Sequence, residues 1–455
     1  MTATPATTEH FTDDDTAHVV DVVGIGFGPA NLALAIAIEE HGDANPAERL
    51  SAVFLERQPS FEWHPGMLLD GATMQIAFPK DLVTLRNPRS AFTFFSYLHD
   101  RGRLVDFVNH QTFFPSRHEF NDYLQWAAGR VRADVRWNRE VVAVSPVRIG
   151  GRDAFAVTTA DGERLLARNV AVGAGLRERI PEWATASSRC FHNHRFLFHV
   201  ESMPEPVHGR FAVLGAGQSA AEIVQYLHTR YPEAEVHSVF ARYGYSPADD
   251  SPYANRIFDP EAVDDFYGAP DPERRRLLDL HKLTNYSCVD IDLINELYRA
   301  EYQERVRGQR RLFMHRASEI VGVRETDTAI DVEVRSTVDG LVDSLTCDAL
   351  VLATGFTPAP LAPLFGDLVP ADHSGVIGRD YRLDLRPATD AGVYLQGGTE
   401  RTHGLTSSLL SNVAMRSGDI LESLLADRAR ETNRDSGTTL DSVNSSDTYA
   451  TSEAK

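Results

Sequence analysis

The sequence is short of cysteine, of basic charge and of long apolar runs, and each shortage removes a class of protein. Its three cysteines, Cys190, Cys288 and Cys347, are odd in number and widely spaced, which leaves neither a disulfide framework nor a zinc knuckle and fits a reducing cytoplasm. His192 and His194 lack a third ligand at useful spacing, so no metal is expected. Lys and Arg number 45 against 65 Asp and Glu, and the formal charge of -20 opposes binding to nucleic acid or anionic lipid. The basic runs Arg274-Arg275-Arg276 and Arg310-Arg311 read as solvated helix faces. No apolar run approaches bilayer length, and the polar, acidic stretch Met1 to His18 lacks the basic and apolar blocks of a secretory signal. No membrane partner is expected.

What is present is a globular composition, 42% hydrophobic, long enough for about two to three domains. Its most informative feature is a pair of glycine loops. Asp21 to Asn31, containing Gly24, Gly26, Gly28 and Pro29, precedes an apolar helical pattern, and Phe211 to Glu222, containing Gly215, Gly217, Gln218 and Ser219, repeats the arrangement. Each reads as a buried strand, a tight turn and a helix whose N-terminal amides face a pyrophosphate. One such string is weak; two in strand-turn-helix context imply two dinucleotides. Val19 to Val23, Ala30 to His41 and Ser51 to Glu56 read as strand, helix and strand, and Glu56 falls where a ribose-binding carboxylate belongs, the alternative being a surface Glu at a strand end. Val236 to Arg242 ends in Arg rather than an acid, which suits the 2′-phosphate of NADPH, although an unrelated surface Arg remains the other reading. Asn169 to Gly175 and Asp348 to Pro358, the latter with Thr354 and Gly355, are strand-then-turn units expected to complete a nucleotide-binding sheet.

A disulfide reductase is excluded, because no redox cysteine pair exists. General flavin monooxygenases share the layout but carry a glycine in the linker where this chain has Cys190 to Phe196. The resemblance becomes specific with Trp63-His64-Pro65-Gly66-Met67, Met74-Gln75 to Lys80-Asp81, Thr84 to Ser90, Phe92 to Phe94, Tyr97-Leu98-His99 and Arg117 to Phe120. Together with Asp249 to Asn255, Thr284 to Ser287, Ala353 to Gly355 and His403 to Leu405, these resemble the microbial N-hydroxylating flavin monooxygenases, which act on ornithine or lysine in siderophore biosynthesis. The run Leu85 to Ser90 is similar to the ornithine branch; a lysine or diamine hydroxylase, or a non-catalytic flavin-binding redox protein, are the alternatives.

The resemblance implies an α/β protein of two Rossmann-like domains, for FAD and NADPH, with a small substrate region between them. The implied divisions are a flexible N-terminus (1–17), the first part of the FAD domain (18–205), an inserted NADPH domain (206–345) with a substrate segment at about 249–300, a return to the FAD domain with a substrate loop (346–427) and a disordered tail (428–455). Lys80 should hold the substrate α-carboxylate, and Asn255 and Asn285 should offer carbonyl oxygens to the reacting amine. Thr406 and Ser407, in the closing loop, should bind substrate; Asn255, Asn285 and Gln75 should be the catalytic residues; and Trp63, His64, Gln75, Arg117 and Leu409 should lie beside the cofactors. The implied chemistry is reduction of FAD by NADPH, addition of O2 to give a flavin hydroperoxide, and attack of the neutral amine on its distal oxygen. A cytoplasmic homotetramer is also implied. Two departures stand out: Pro79 replaces a bulky aliphatic residue, and Thr406-Ser407-Ser408 replaces Ser-Asp-Thr.

Overall fold

The computed structural model describes residues 19–203, 206, 208–369 and 376–435. In the first sheet, Asp134–Arg136, Ala52–Leu55, Val19–Ile25 and Arg164–Val172 run parallel, and Gly392–Leu395 pairs in parallel with the far end of Arg164–Val172. An antiparallel ribbon, Val141–Ile149 and Arg152–Thr159, continues from the near end. The first glycine turn is fixed by close approach. A Cβ at Gly24 would lie 2.2 Å from Phe54 Cδ1, and Gly26 has φ +79° with a Cβ position 2.5 Å from the Gly173 carbonyl. The following helix, Pro29–Ala44, is apolar on nearly every side because it is covered on both, by the sheet and by the C-terminal helix Val413–Asp435. Asn31 in its first turn is buried and donates to the carbonyls of Ile25 and Gly26 at 3.2 and 2.7 Å, locking helix to turn.

The second sheet is wholly parallel, in the order Leu312–His315, Glu235–Val239, Arg210–Leu214, Ala349–Leu352, Cys190–His192. Two expected boundaries are corrected here. Ala349–Leu352 does not return to the FAD sheet at 346: it pairs with Arg210–Leu214, and Cys190–His192, assigned to the first domain, is the edge strand beside it. The return comes only at Gly392–Leu395. An all-apolar four-residue strand carries no mark of which sheet it joins, so register with distant partners decides. The expected tail is also corrected, because the last helix continues through residues 428–435, where Arg428 pairs with Asp21 at 3.5 Å and donates to the Arg49 carbonyl. The expected N-terminal segment 1–17 and the remainder of the tail, 436–455, lie outside the described residues.

The two sheets are joined by the short antiparallel pair Leu176–Glu178 and Phe356–Pro358. The helices Ala262–Gly268 and Asp271–Asn285 form the small region expected between the domains and lean on the loop Leu405–Ser408. Gly404, at φ +80°, leaves room for Phe266, whose ring stands 2.6 Å from where a Cβ would be.

Candidate active site

At the first glycine loop, Gly28 is the N-cap of Pro29–Ala44, and a Cβ there would meet nothing within 4 Å. The face above the helix N-terminus is therefore an open cradle of amides, suited to a pyrophosphate. Glu56 is held beside it: Oε2 accepts from the Phe27 amide at 2.6 Å and Oε1 from the Gln58 amide at 2.9 Å. Cradle and carboxylate together fit the adenosine diphosphate half of FAD. Trp63 packs on Phe120 and His64, with centroids 5.9 and 5.2 Å apart. His64 has φ +49°, and its Nδ1 lies 3.4 Å from Nδ1 of His194. Burial, reinforced by the charges of His194 and Arg117, pushes its pKa down to about 4, so the ring is neutral at neutral pH.

The second loop repeats the geometry. Gly215 has φ +148° and would place a Cβ 2.4 Å from the Ala353 carbonyl, while Gly217 caps Gln218–Arg230 in an extended conformation. Ser219 is half-buried in the first turn. Arg242 donates to the Ser287 carbonyl at 2.8 Å and to Ser246 Oγ at 3.3 Å, and Ser287 Cα is 3.4 Å from the Cβ position of Gly217. The guanidinium thus hangs alongside the second cradle, where a cation suits a phosphorylated ribose. Thr354 donates its hydroxyl to the Arg179 carbonyl, and Gly355, at φ +79°, accepts from His192 Nε2 at 2.9 Å, so both brace the junction between the domains.

Arg117, expected beside flavin and nicotinamide, is placed between the two halves by a partner the sequence did not reveal. Its Nη2 is 2.8 Å from Oε1 of Glu222 on the second glycine helix. The same carboxylate oxygen accepts from Gln218 Nε2 at 2.9 Å, and Gln218 Oε1 accepts from the Asp290 amide at 2.8 Å. Burial outweighs these partners and holds the Glu222 carboxyl above its ordinary pKa.

On the substrate side, Phe78 is wedged among Phe94, Phe95, Phe107 and Phe113, with centroids 5.0 to 5.8 Å away. Asp81 is buried and accepts from the amides of Val83, Thr84 and Phe94 at 2.6 to 2.9 Å. With Phe78 and Asp81 anchored inward on either side of Pro79-Lys80, Lys80 is half-buried, and its ammonium has no ion pair or side-chain hydrogen bond with a described residue. Gln75 is exposed on the same loop. Asn255 lies in the turn Ala254–Phe258, and its Nδ2 donates to the Asp250 carbonyl at 2.7 Å, which assigns the amide and leaves Oδ1 as an acceptor. Asn285 ends the helix Asp271–Asn285; its side chain lies outside the described residues. Thr406 Oγ1 donates to the Phe258 carbonyl at 3.3 Å, tying the closing loop to the Asn255 turn. Ser407 is turned inward, donating to the Gly404 carbonyl at 2.8 Å and accepting from Thr399 at 3.0 Å, which makes it a brace of the loop. Leu409 is half-buried at the loop's end, where its amide donates to the Thr406 carbonyl at 3.0 Å.

Sequence reasoning missed the anchoring parts played by Glu222 and Asp81. The signal for Glu222 was its charge among Ala220, Ala221, Ile223, Val224 and Leu227, the otherwise apolar buried face of its helix. Among the described residues, no group of three or more His, Cys, Asp or Glu is placed to hold a metal, and no helix is long and apolar enough to cross a membrane.

A family model described as L-lysine 6-monooxygenase/L-ornithine 5-monooxygenase matches residues 18–358. The solved ornithine N-hydroxylase of Kutzneria sp. 744, described with reduced FAD, NADP+ and L-ornithine, is similar at a TM-score of 0.84 and 43% identity, covering 91% of this chain and 100% of that one. An L-ornithine N(5)-monooxygenase of Pseudomonas aeruginosa is 38% identical over 428 residues, 90% of this chain and 94% of the relative. A solved L-lysine 6-monooxygenase of Pseudomonas syringae matches at a TM-score of 0.79 and 36% identity, covering 90% of this chain and 99% of that one. With both dinucleotide cradles in place, the chain belongs to the L-lysine 6-monooxygenase/L-ornithine 5-monooxygenase family of FAD- and NADPH-dependent N-hydroxylating monooxygenases.

Proposed function

We propose that this enzyme hydroxylates the side-chain amine of L-ornithine at N5, with NADPH and O2, for hydroxamate siderophore or related natural-product biosynthesis. The observation that carries the reading is Lys80, an ammonium with no ion pair to a described residue, held between the inward-anchored Phe78 and Asp81, in a chain that also leaves Asn255 Oδ1 as an acceptor. FAD, which the amides at Gly26 to Gly28 and the Glu56 carboxylate would hold, would supply the redox chemistry that moves two electrons from NADPH to O2. The chain's own residues do the rest. Lys80 binds the α-carboxylate as a point charge. Asn255 and Asn285 orient the amine through neutral carbonyl oxygens. An alkyl ammonium has a pKa of about 10.4 by analogy with lysine, and it is not a nucleophile until it loses a proton. A carboxylate in either position would favour the ammonium, whereas an amide positions nitrogen without holding the charge on it. Arg242 reads the 2′-phosphate of NADPH, and Glu56 the ribose of FAD. Thr406 and Leu409 close the pocket, and Trp63, His64 and Gln75 line its flavin side.

The choice of ornithine over lysine rests on the Leu85–Ser90 run and on the ornithine-acting relatives. One methylene in a shaped pocket is worth roughly 1–3 kcal/mol. Hydroxylamine formation measured with ornithine, lysine, putrescine and cadaverine tests it: preference for lysine, or efficient use of putrescine, overturns the assignment. The cytoplasm is its place, in keeping with three free thiols. The proposed assembly is a homotetramer; the exposed apolar stripe Ile291, Tyr298, Tyr302 and Val306 along the helix Ile291–Arg307 supports a contact between copies, and light scattering of the holoenzyme measures their number.

A further inference from the structure

Arg416, in the first turns of the C-terminal helix, is 2% exposed and has no carboxylate within ion-pair distance among the described residues. Its Nε donates to Gln396 Oε1 at 3.0 Å, and its Nη1 to the Ser407 carbonyl. Gln396 in turn donates to the Ala30 carbonyl at 3.3 Å, two residues beyond the open cradle at Gly28. The guanidinium therefore stands between the helix that carries the first cradle, reached through two consecutive hydrogen bonds, and the loop Leu405–Ser408, which it bonds directly. Glu400 and Asp419 act on it only at longer range. Three buried polar atoms on the same stretch, Ser411 Oγ, Asn412 Oδ1 and Ser417 Oγ, have no hydrogen-bond partner. A guanidinium is always charged, and burying a charge without a countercharge costs several kcal/mol. Two neutral acceptors offset only part of that cost. The fold thus holds a buried positive charge, between the cradle helix and the loop Leu405–Ser408, that negative charge developing on a bound flavin ring would compensate.

That charge arises in the reaction itself. NADPH gives up a hydride, two electrons with one proton, and becomes NADP+; the flavin ring that receives it gains one negative charge. We propose that Arg416 is the positioned countercharge for the reduced flavin, so that the protein binds reduced FAD more tightly, relative to oxidised FAD, than it would with a neutral residue there. The inference rests on the assignment of the first glycine site to FAD, and not on which amine is hydroxylated.

The test is the midpoint potential of the FAD holoenzyme, measured anaerobically by dye-linked spectroelectrochemistry without amine substrate. Arg416→Met should lower the ratio of reduced to oxidised binding by tenfold or more, equivalent to a fall of ~30 mV for a two-electron couple. Arg416→Lys, which keeps the charge but cannot reproduce both hydrogen bonds, should stay within about threefold of the parent. Gln396→Leu should also stay near the parent, since the charge remains. Arg416→Gln, still able to donate to the Ser407 carbonyl, is the second neutral variant and decides the matter if the Met variant retains too little FAD. A parental potential in the FAD-bound neutral variants overturns the proposal. A fall in the Lys variant as large as that in the Met variant overturns it as well, leaving Arg416 a packing residue. A different amine preference in the substrate panel would refute the ornithine reading and leave these potentials unchanged.

Discussion

Arg117→Met is the most informative perturbation of the interface between the two halves. The Arg117–Glu222 contact is 2.8 Å, with side-chain exposures of 15% and 4%, and Glu222 Oε2 is already buried without a partner. Removing the guanidinium leaves a carboxylate stranded inside the second glycine helix, for which the cost of breaking a buried pair is about 3–5 kcal/mol. The penalty has a pH signature. Burial holds the Glu222 carboxyl above its ordinary pKa against the pull of Arg117, and without Arg117 the value rises further. A carboxyl whose folded pKa is raised contributes stability at pH below its unfolded pKa and loses it as pH climbs through the folded one. Arg117→Met should therefore be much less stable than the parent at pH 7 and approach it as the solution is acidified toward the ordinary carboxylate range. Arg117→Met combined with Glu222→Gln should recover most of the loss at pH 7, because no charge is stranded. Urea unfolding followed by tryptophan fluorescence with saturating FAD, across pH and for all four proteins of the cycle, measures this. A single-variant loss below about 1 kcal/mol at pH 7, or a double variant as unstable as the sum of the singles, refutes the reasoning. Gln218 shares the same carboxylate oxygen, so the apparent KM for NADPH should rise in Arg117→Met as well.

Arg242→Ala should raise the apparent KM for NADPH and leave NADH almost unaffected; equal losses with both coenzymes in stopped-flow reduction would remove Arg242 from 2′-phosphate recognition. Lys80→Ala should cost on the order of 2–5 kcal/mol in kcat/KM for ornithine while flavin reduction by NADPH persists. Asn255→Asp should keep ornithine binding but favour the ammonium, so that hydrogen peroxide replaces hydroxyornithine and the optimum for hydroxylation moves to higher pH; an unchanged ratio of product to NADPH across pH would place Asn255 away from the amine. For His64, whose pKa is lowered from 6.5 to about 4, the stability it contributes is complete above the unfolded value and declines as pH falls between these limits, by on the order of 3 kcal/mol. His64→Asn, which tolerates the positive φ, should flatten that part of the unfolding curve.

The two cradles were legible because glycine at a turn is a backbone requirement written locally: Gly26 and Gly215 sit at positive φ against a carbonyl, as their strings imply. Lys80 and Arg242 were singled out through resemblance and through the end of a strand, and their roles are proposals. What stayed hidden depends on partners far away in the chain. Glu222 reads as one more helix charge until Arg117 arrives, and Arg416 as a surface residue of a polar-looking helix. The strand Ala349–Leu352 was assigned to the wrong sheet for the same reason. The helix end at 428–435 was read as tail because its residues are polar, yet Arg428 reaches Asp21 at the opposite end of the described chain. Ser407 was expected to face substrate, whereas its hydroxyl is used within its own loop.

The late return of the chain to its first sheet has a consequence for how the protein is made. Every strand of the second sheet is already present by Leu352, whereas the first still lacks Gly392–Leu395 and the long helix that covers Pro29–Ala44. During synthesis the interior half therefore completes before the half that begins the chain, and the first glycine helix waits with one apolar flank uncovered for most of translation. Flavin capture is in this sense a final inspection: a chain ending before Leu424, which is buried in the core with the first glycine helix, is expected to complete its coenzyme half and fail to keep FAD.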